Sequence, residues 1–365
     1  MKKIILALCL CAVIAASGCG SSADLSSASS AVKSSSSKNV SESSPDTQKA
    51  VEAGTEIDDK PSDDKSDSKS DKKEKKNIYH NEAVDAAVKA GKAENMSVDG
   101  YYNFYYEGFG KVYSNEELKN CFDRLQKICS EANFNLSFSY ENPQSGVIVS
   151  YNTYKSYLTC STIKAPYIKS LLENGVNLDE VIVRNECWSG DDGTVASAAY
   201  GTKYTAKQLI EYAVRESDNT AYYLLVKHFG YWNFNNLMYS LGSNYYLGDS
   251  WIFTYCTVMD MAKCYKDIYN FAEKCDEGKW LISLMEDTDI NTQITAALGD
   301  KYDVAHKYGS EFNESNFHDC AVVYSDSPFI LCIFTDQQPE TEESCKVFRE
   351  LAKIFDDINS LIAEK

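Results

Sequence analysis

Three short clusters in this 365-residue chain carry groups suited to attack on a carbonyl carbon. The first is Ser161 with Lys164, in "LTCSTIKAPYIKSLLENG". A serine hydroxyl is a poor nucleophile until a base takes its proton. A lysine amine can serve when exclusion of water lowers its pKa. Helical spacing of i, i+3 puts both groups on one face. A helix N-terminus adds N–H donors and positive potential where an oxyanion would form. The spacing alone says little, because it recurs at Ser35/Lys38, Ser62/Lys65, Ser66/Lys69 and Ser70/Lys73. What distinguishes Ser161 is its place where an apolar segment turns into an amphipathic helix.

The second cluster is Ser217-Asp218-Asn219, between two strongly helical stretches. Its plain reading is a helix cap, since Ser and Asp begin helices well. Its chemical reading has Ser217 handing a proton to a leaving nitrogen and Asn219 binding a substrate amide, with Asp218 holding the turn. The third is Lys307-Tyr308-Gly309-Ser310, in "DVAHKYGSEF". A lysine on an inner strand beside a cleft would supply positive charge to a substrate carboxylate or to Ser217. Gly309 would let substrate approach the backbone. The N–H groups of Ser161 and Ser310 would pair as an oxyanion hole. The plain reading is an edge-strand lysine near a turn.

Taken together and in this order, S-T-I-K, S-D-N and K-Y-G resemble the signature set of class A β-lactamases and penicillin-binding proteins. The flanks "GTKYTAKQLIEYAVRESDNTA" and "HDCAVVY" are similar to the family's as well. The resemblance covers about Ser114 to the C-terminus. It implies an acyl-enzyme mechanism in which Lys164 activates Ser161, Ser217 protonates the leaving nitrogen and Lys307 tunes it. No metal or cofactor is implied. Two departures bear on activity. Tyr308 stands where the family has Thr, whose hydroxyl contacts the β-lactam carboxylate. The family's water-activating loop glutamate is missing too: no Glu lies between Asn219 and Asp260, and Asp249 is the one carboxylate there. The leading expectation is therefore a class A β-lactamase-type serine hydrolase acting on a β-lactam or related amide. A penicillin-binding D,D-peptidase-like enzyme with slow deacylation is the first alternative, with peptidoglycan peptide as substrate. A non-catalytic wall-binding lipoprotein is the second.

The elements that would position these residues can be read from periodicity. "SNEELKNCFDRLQKICSEA" opens with Ser114 and Glu117 as a capping box and continues as an amphipathic helix. Phe134, Leu136, Phe138 and Tyr140 alternate as a strand, and "PQSGVIVSYN" is its hairpin partner. Helices are expected at about 162–174, 205–216 and 219–229. Three strands ("YDVAHKYG", "DCAVVYS", "FILCIFTD") and a helix at about 342–362 close the chain. The expected fold is α/β (α+β) and β-lactamase/transpeptidase-like. One antiparallel sheet is built from both ends of the domain, flanked by helices, with an all-helical lobe inserted between.

Ahead of the domain, Lys2 and Lys3 precede an apolar run ending at Ala16-Ser17-Gly18-Cys19. This resembles a bacterial lipoprotein signal, with Cys19 as the lipidated residue. Residues 1–18 then read as signal peptide and 19–76 as a polar tether too poor in apolar residues to fold. Residues 77–113 read as a transitional segment, with a short helix at Asn81 to Lys92. The expected location is extracytoplasmic, on the membrane through the N-terminal lipid, as a monomer. A formal net charge of -18 argues against nucleic acid as a partner. Thirteen cysteines are present, ten of them from Cys121 onward, without C-x-x-C pairs. That spacing speaks against zinc; disulfides and buried small hydrophobes both remain open. His306 and His318 read as partners in local hydrogen bonds.

Overall fold

The computed structural model describes residues 104–107, 116–248 and 251–363. The signal, Cys19, the tether, the 81–92 helix, Ser114 and Asp249 lie outside the described residues. The backbone of the sheet is one antiparallel array in the order β1-β3-β2-β10-β9-β8. Its strands are β1 (Phe104–Glu107), β2 (Leu136–Asn142), β3 (Val147–Tyr151), β8 (Asp303–Glu311), β9 (Asn316–Tyr324) and β10 (Phe329–Thr335). Both ends of the domain contribute, as expected. The sheet also takes in β1 from the stretch read as transitional, paired with β3 from Phe104↔Tyr151 to Glu107↔Ile148.

Period-two alternation gives each strand two faces. Phe138, Tyr140, Val149, Phe317, Leu331 and Ile333 face one core with α1 (Glu116–Glu131) and α10 (Glu342–Ala363). Leu118, Cys121 and Leu125 of α1 meet Phe348, Leu351 and Phe355 of α10 there. Ala305, Cys320, Val322, Ile330, Cys332 and Phe334 face the second core.

The second core is shared with the helical lobe, which runs from β4 (Ser156–Leu158) to α8 (Asp276–Glu286). Within it lie α2 (Lys164–Glu173), β5 (Val181–Val183), α3 (Thr194–Ser197), β6 (Lys203–Thr205), α4 (Ala206–Glu211), α5 (Asn219–Phe229), α6 (Trp232–Ser240), β7 (Tyr255–Thr257) and α7 (Val258–Ala272). The short α9 (Ile294–Leu298) leads back to β8. Thr205 and Gln208 form a capping box at the start of α4. The helix expected over 205–216 is not uniform: α4 passes into a π-helical turn at Tyr212–Glu216, ending on Ser217 in the left-handed region (φ 59°). Wide turns of that kind concentrate at functional sites. All ten cysteines among the described residues are free thiols, and eight are buried like small hydrophobes.

Candidate active site

Ser161 sits in a 3₁₀ turn, Cys160–Ile163, that runs directly into α2. The expected helix therefore starts earlier and tighter than its pattern suggested. Cys160, just before the serine, has φ 47°. A left-handed non-glycine residue costs on the order of 1–2 kcal/mol and persists only where neighbours impose it. The neighbours here are specific. Thr159 N donates to Thr254 O at 2.8 Å, Thr162 Oγ1 to Thr159 O at 2.6 Å, and Tyr265 OH to Thr162 O at 3.3 Å. Buried His318 closes the set. Thr335 N donates to its Nδ1 at 3.3 Å, so Nε2 carries the proton and donates to Leu158 O at 2.9 Å. Burial pushes its pKa down to about 4, which keeps the ring neutral in that role.

Strand β8 lies against this turn. It is the edge strand of the sheet, not an inner one as the lysine reading supposed. Lys307 is nevertheless fully buried. Gly309 shows why the approach is so close. A Cβ there would fall 2.8 Å from Ser161 N, 2.9 Å from Cys160 Cβ and 3.0 Å from Thr162 N. The space was expected to admit substrate; it admits the nucleophile turn itself. An edge strand leaves alternate N–H groups unpaired. Packed here, β8 brings Gly309, the residue before Ser310, against Ser161 N.

Lys164, also fully buried, donates from Nζ to Ser217 O at 2.6 Å, Asn219 Oδ1 at 2.7 Å and Ser217 Oγ at 3.4 Å. Desolvation pulls its pKa down to about 7, against the opposing pull of the Asp191 and Asp218 charges. Lys307 Nζ donates to the same Ser217 Oγ at 2.9 Å. Burial, then the Lys164 charge, hold its pKa well below the usual lysine range. One hydroxyl thus lies between two dry amines that repel when both are charged. Such a trio can pass a proton, with Ser217 as the relay.

The turn that presents Ser217 is held by Asp218. Its Oδ1 accepts from Ala221 N at 2.7 Å, the cap of α5, and its Oδ2 from Val195 N at 2.7 Å. Asp191 Oδ2 accepts from Thr220 N (2.7 Å) and Thr220 Oγ1 (2.6 Å). A Cβ on Gly193 would sit 2.5 Å from Asp218 Oδ2, so the 191–195 loop can approach only as glycine. Tyr308 lies at the same place. Lys307 Nζ is 4.5 Å from its ring centroid, and its phenol neighbours Ser217 and Ser310. Beyond it, Ser310 Oγ donates to Glu340 Oε1 at 3.2 Å.

The structure brings together Ser161, Lys164, Ser217, Asn219, Lys307, Tyr308, Gly309 and Ser310. Sequence reading missed Asp191, Gly193 and Glu340. The first two lie in a polar loop, "SGDDGT", with no pattern linking it to residue 218. Glu340 comes from the β10–α10 connection and meets Ser310 only through the fold. His306 is buried in a local network, Nδ1 on Asp319 Oδ1 at 2.9 Å and Nε2 on Thr288 Oγ1 at 2.8 Å.

Comparison with known proteins is consistent with this arrangement. The solved structures similar to the chain include a β-lactamase from Sphaerobacter thermophilus, at 16% identity and TM-score 0.58, covering 67% of this chain and 98% of that one. They include a β-lactamase from Burkholderia vietnamiensis, at 21% and 0.57, covering 64% and 94%. They also include a mutant of PBP-A in an acyl-enzyme complex with penicillin G, at 17% and 0.59, covering 68% and 98%. No sequence among the curated proteins matches it. The fold is accordingly β-lactamase-like. A family profile described as "Beta-lactamase enzyme family" matches residues 120–358, spanning all three motifs. The chain belongs to the beta-lactamase enzyme family.

Proposed function

We propose that the protein is a serine hydrolase that forms an acyl-enzyme on Ser161 with a β-lactam or related amide. The observation that carries this reading is the pair of buried lysines meeting at Ser217 Oγ, one of them three residues from Ser161 on the same turn. In the reaction, neutral Lys164 takes the Ser161 proton as Oγ attacks the carbonyl. The oxyanion rests on the N–H groups of Ser161 and Ser310. Ser217 protonates the leaving nitrogen and is reprotonated through the lysines. In the resting arrangement Lys164 Nζ points to Ser217 and Asn219. Catalytic hydrogen bonds commonly rearrange once substrate is present.

Release of the acyl group is the weaker half. No Glu lies between Asn219 and Asp260 to activate water. This favours slow deacylation, in the manner of a penicillin-binding protein, over rapid β-lactam turnover. Intact-protein mass spectrometry after mixing the full chain with benzylpenicillin separates the readings. A long-lived adduct, absent from Ser161→Ala, is the expected result. A brief adduct with hydrolysed drug would mean a working β-lactamase. No adduct and no hydrolysis would remove the β-lactam reading and move weight to another amide or ester, or to a non-catalytic binding role.

We further propose an extracytoplasmic location, anchored to the membrane through lipidated Cys19, on the strength of the basic, apolar and small-residue order ahead of it. Cys19→Ser should move the protein from the membrane to the soluble fraction. Retention in the membrane would rule out that anchor.

A further inference from the structure

Arg184 carries a positive charge into the protein without a counter-ion. It follows β5, and its backbone is fixed in both directions: Arg184 N donates to Thr202 O at 2.8 Å and Gly201 N to Arg184 O at 2.9 Å. The residue is 3% exposed. Nη2 donates to Ala196 O of α3. Nε and Nη1 are buried, and no acceptor among the described residues meets either of them. The chain's other arginines, Arg124, Arg215 and Arg349, each pair with a carboxylate. The carboxylates that flank Arg184 along its loop are committed elsewhere. Glu186 Oε2 accepts from Tyr223 OH, Asp191 Oδ2 from Thr220, and both Asp218 oxygens from backbone amides.

A buried lysine can relieve such a position by shedding its proton, as desolvation favours at Lys164 and Lys307. A guanidinium does not deprotonate in a protein, so Arg184 keeps its charge. Buried charges are costly unless they are paired and hydrogen-bonded. The compensation present is the Tyr200 ring, whose centroid lies 4.1 Å from the guanidinium carbon. Tyr200 is itself 70% exposed, on a turn closed by Thr202 N donating to Ala199 O at 3.1 Å. Rotation of this one surface side chain would uncover the guanidinium. Tethered through Nη2, the group could then tilt its unpaired N–H donors toward an incoming oxygen.

We propose that Arg184 is the centre of an anion-binding site for a small oxyanion, a carboxylate or a phosphate, with the Tyr200 side chain as its cover. A guanidinium fork suits the oxygens of either anion, and the charge-assisted bonds it makes are among the strongest available. The site adjoins the catalytic turn from behind. Ala196 O, which takes the Nη2 bond, follows Val195, whose N–H donates to Asp218 Oδ2 at 2.7 Å. Binding is read without substrate, so the proposal does not rest on the serine-hydrolase reading.

The test follows thermal melting of the full chain in sodium phosphate and in sodium acetate, each titrated against sodium chloride at constant pH and ionic strength. The wild-type Tm should rise saturably with at least one of the two anions, by about 4 °C at ten times its Kd. A response to phosphate and not acetate assigns a phosphate ligand, the reverse a carboxylate, and a response to both a site for either. Arg184→Met removes the charge and the donors, and should lose the rise. Arg184→Lys keeps the charge without the fork, and should need at least about fivefold more anion for the same rise. It carries the test if Arg184→Met does not fold. Tyr200→Ala removes the cover, and should reach half of the rise at a lower anion concentration. Equal Tm values in all three salts would overturn the proposal, with ordered water then satisfying the two donors. A rise that persists undiminished in the Arg184 variants would overturn it as well, as a general effect of the salt.

Discussion

Lys164→Met is expected to slow acylation of Ser161 by about a thousandfold, within the range that a positioned general base contributes. Methionine keeps the unbranched length and removes the amine. Loss of the amine also leaves Ser217 O and Asn219 Oδ1 without their 2.6 and 2.7 Å donor. Each buried acceptor so stranded costs about 1–3 kcal/mol, which loosens the turn that carries Ser217. The pH profile distinguishes the two effects. In wild type the amine must be neutral to accept a proton, and its pKa is about 7. Acylation should therefore rise tenfold per pH unit below about 7 and level off above it. Lys164→Met should lack that limb, whereas damage to the turn alone would lower the rate and keep it. Stability supplies a second readout. The lysine pKa falls from 10.5 unfolded to about 7 folded, so the unfolded chain binds more protons in between. The stability of wild type relative to Lys164→Met should thus increase as pH rises from about 7 to 10.5. A wild-type rate that is flat from pH 5 to 9 would exclude Lys164 as the base.

Gly309→Ala should be the most damaging single-methyl change in the site. Its Cβ would meet two backbone nitrogens and the Cys160 Cβ at 3.0 Å or less, and backbone atoms cannot swing aside. Either β8 or the nucleophile turn must retreat. Overpacking of that kind costs about 1–3 kcal/mol. The kinetic loss should be greater, about a hundredfold, because a displacement near 1 Å spoils alignment of Ser161 with its oxyanion donors. The comparison is acylation rate against Tm. A variant that loses a few degrees and keeps its acylation rate would show that the contact serves packing alone.

Much of this protein is determined by local sequence. The 3.6-residue period of α1 and α10, the alternation of β2 and β8–β10, and the helix Asn219–Phe229 all follow from which residues must leave water. The three motifs are legible because their residue types have few other reasons to occur in that order. Lys164 and Lys307 are a different matter. Nothing in "STIK" or "HKYG" shows that either amine is fully buried, and burial is what lowers the pKa and converts a surface cation into a base. The meeting of both amines at Ser217 Oγ joins segments 53 and 90 residues apart in the chain. Gly309 reads as room for a ligand until packing shows the nucleophile turn in that room. Asp191, Gly193 and Glu340 carry no local signal, because their partners at Thr220, Asp218 and Ser310 become neighbours only when the loops close. Residue types and periodicity are properties of short stretches, and they determined the elements and the chemistry available. Desolvation and long-range proximity are properties of the packed whole, and the tertiary structure alone decided them.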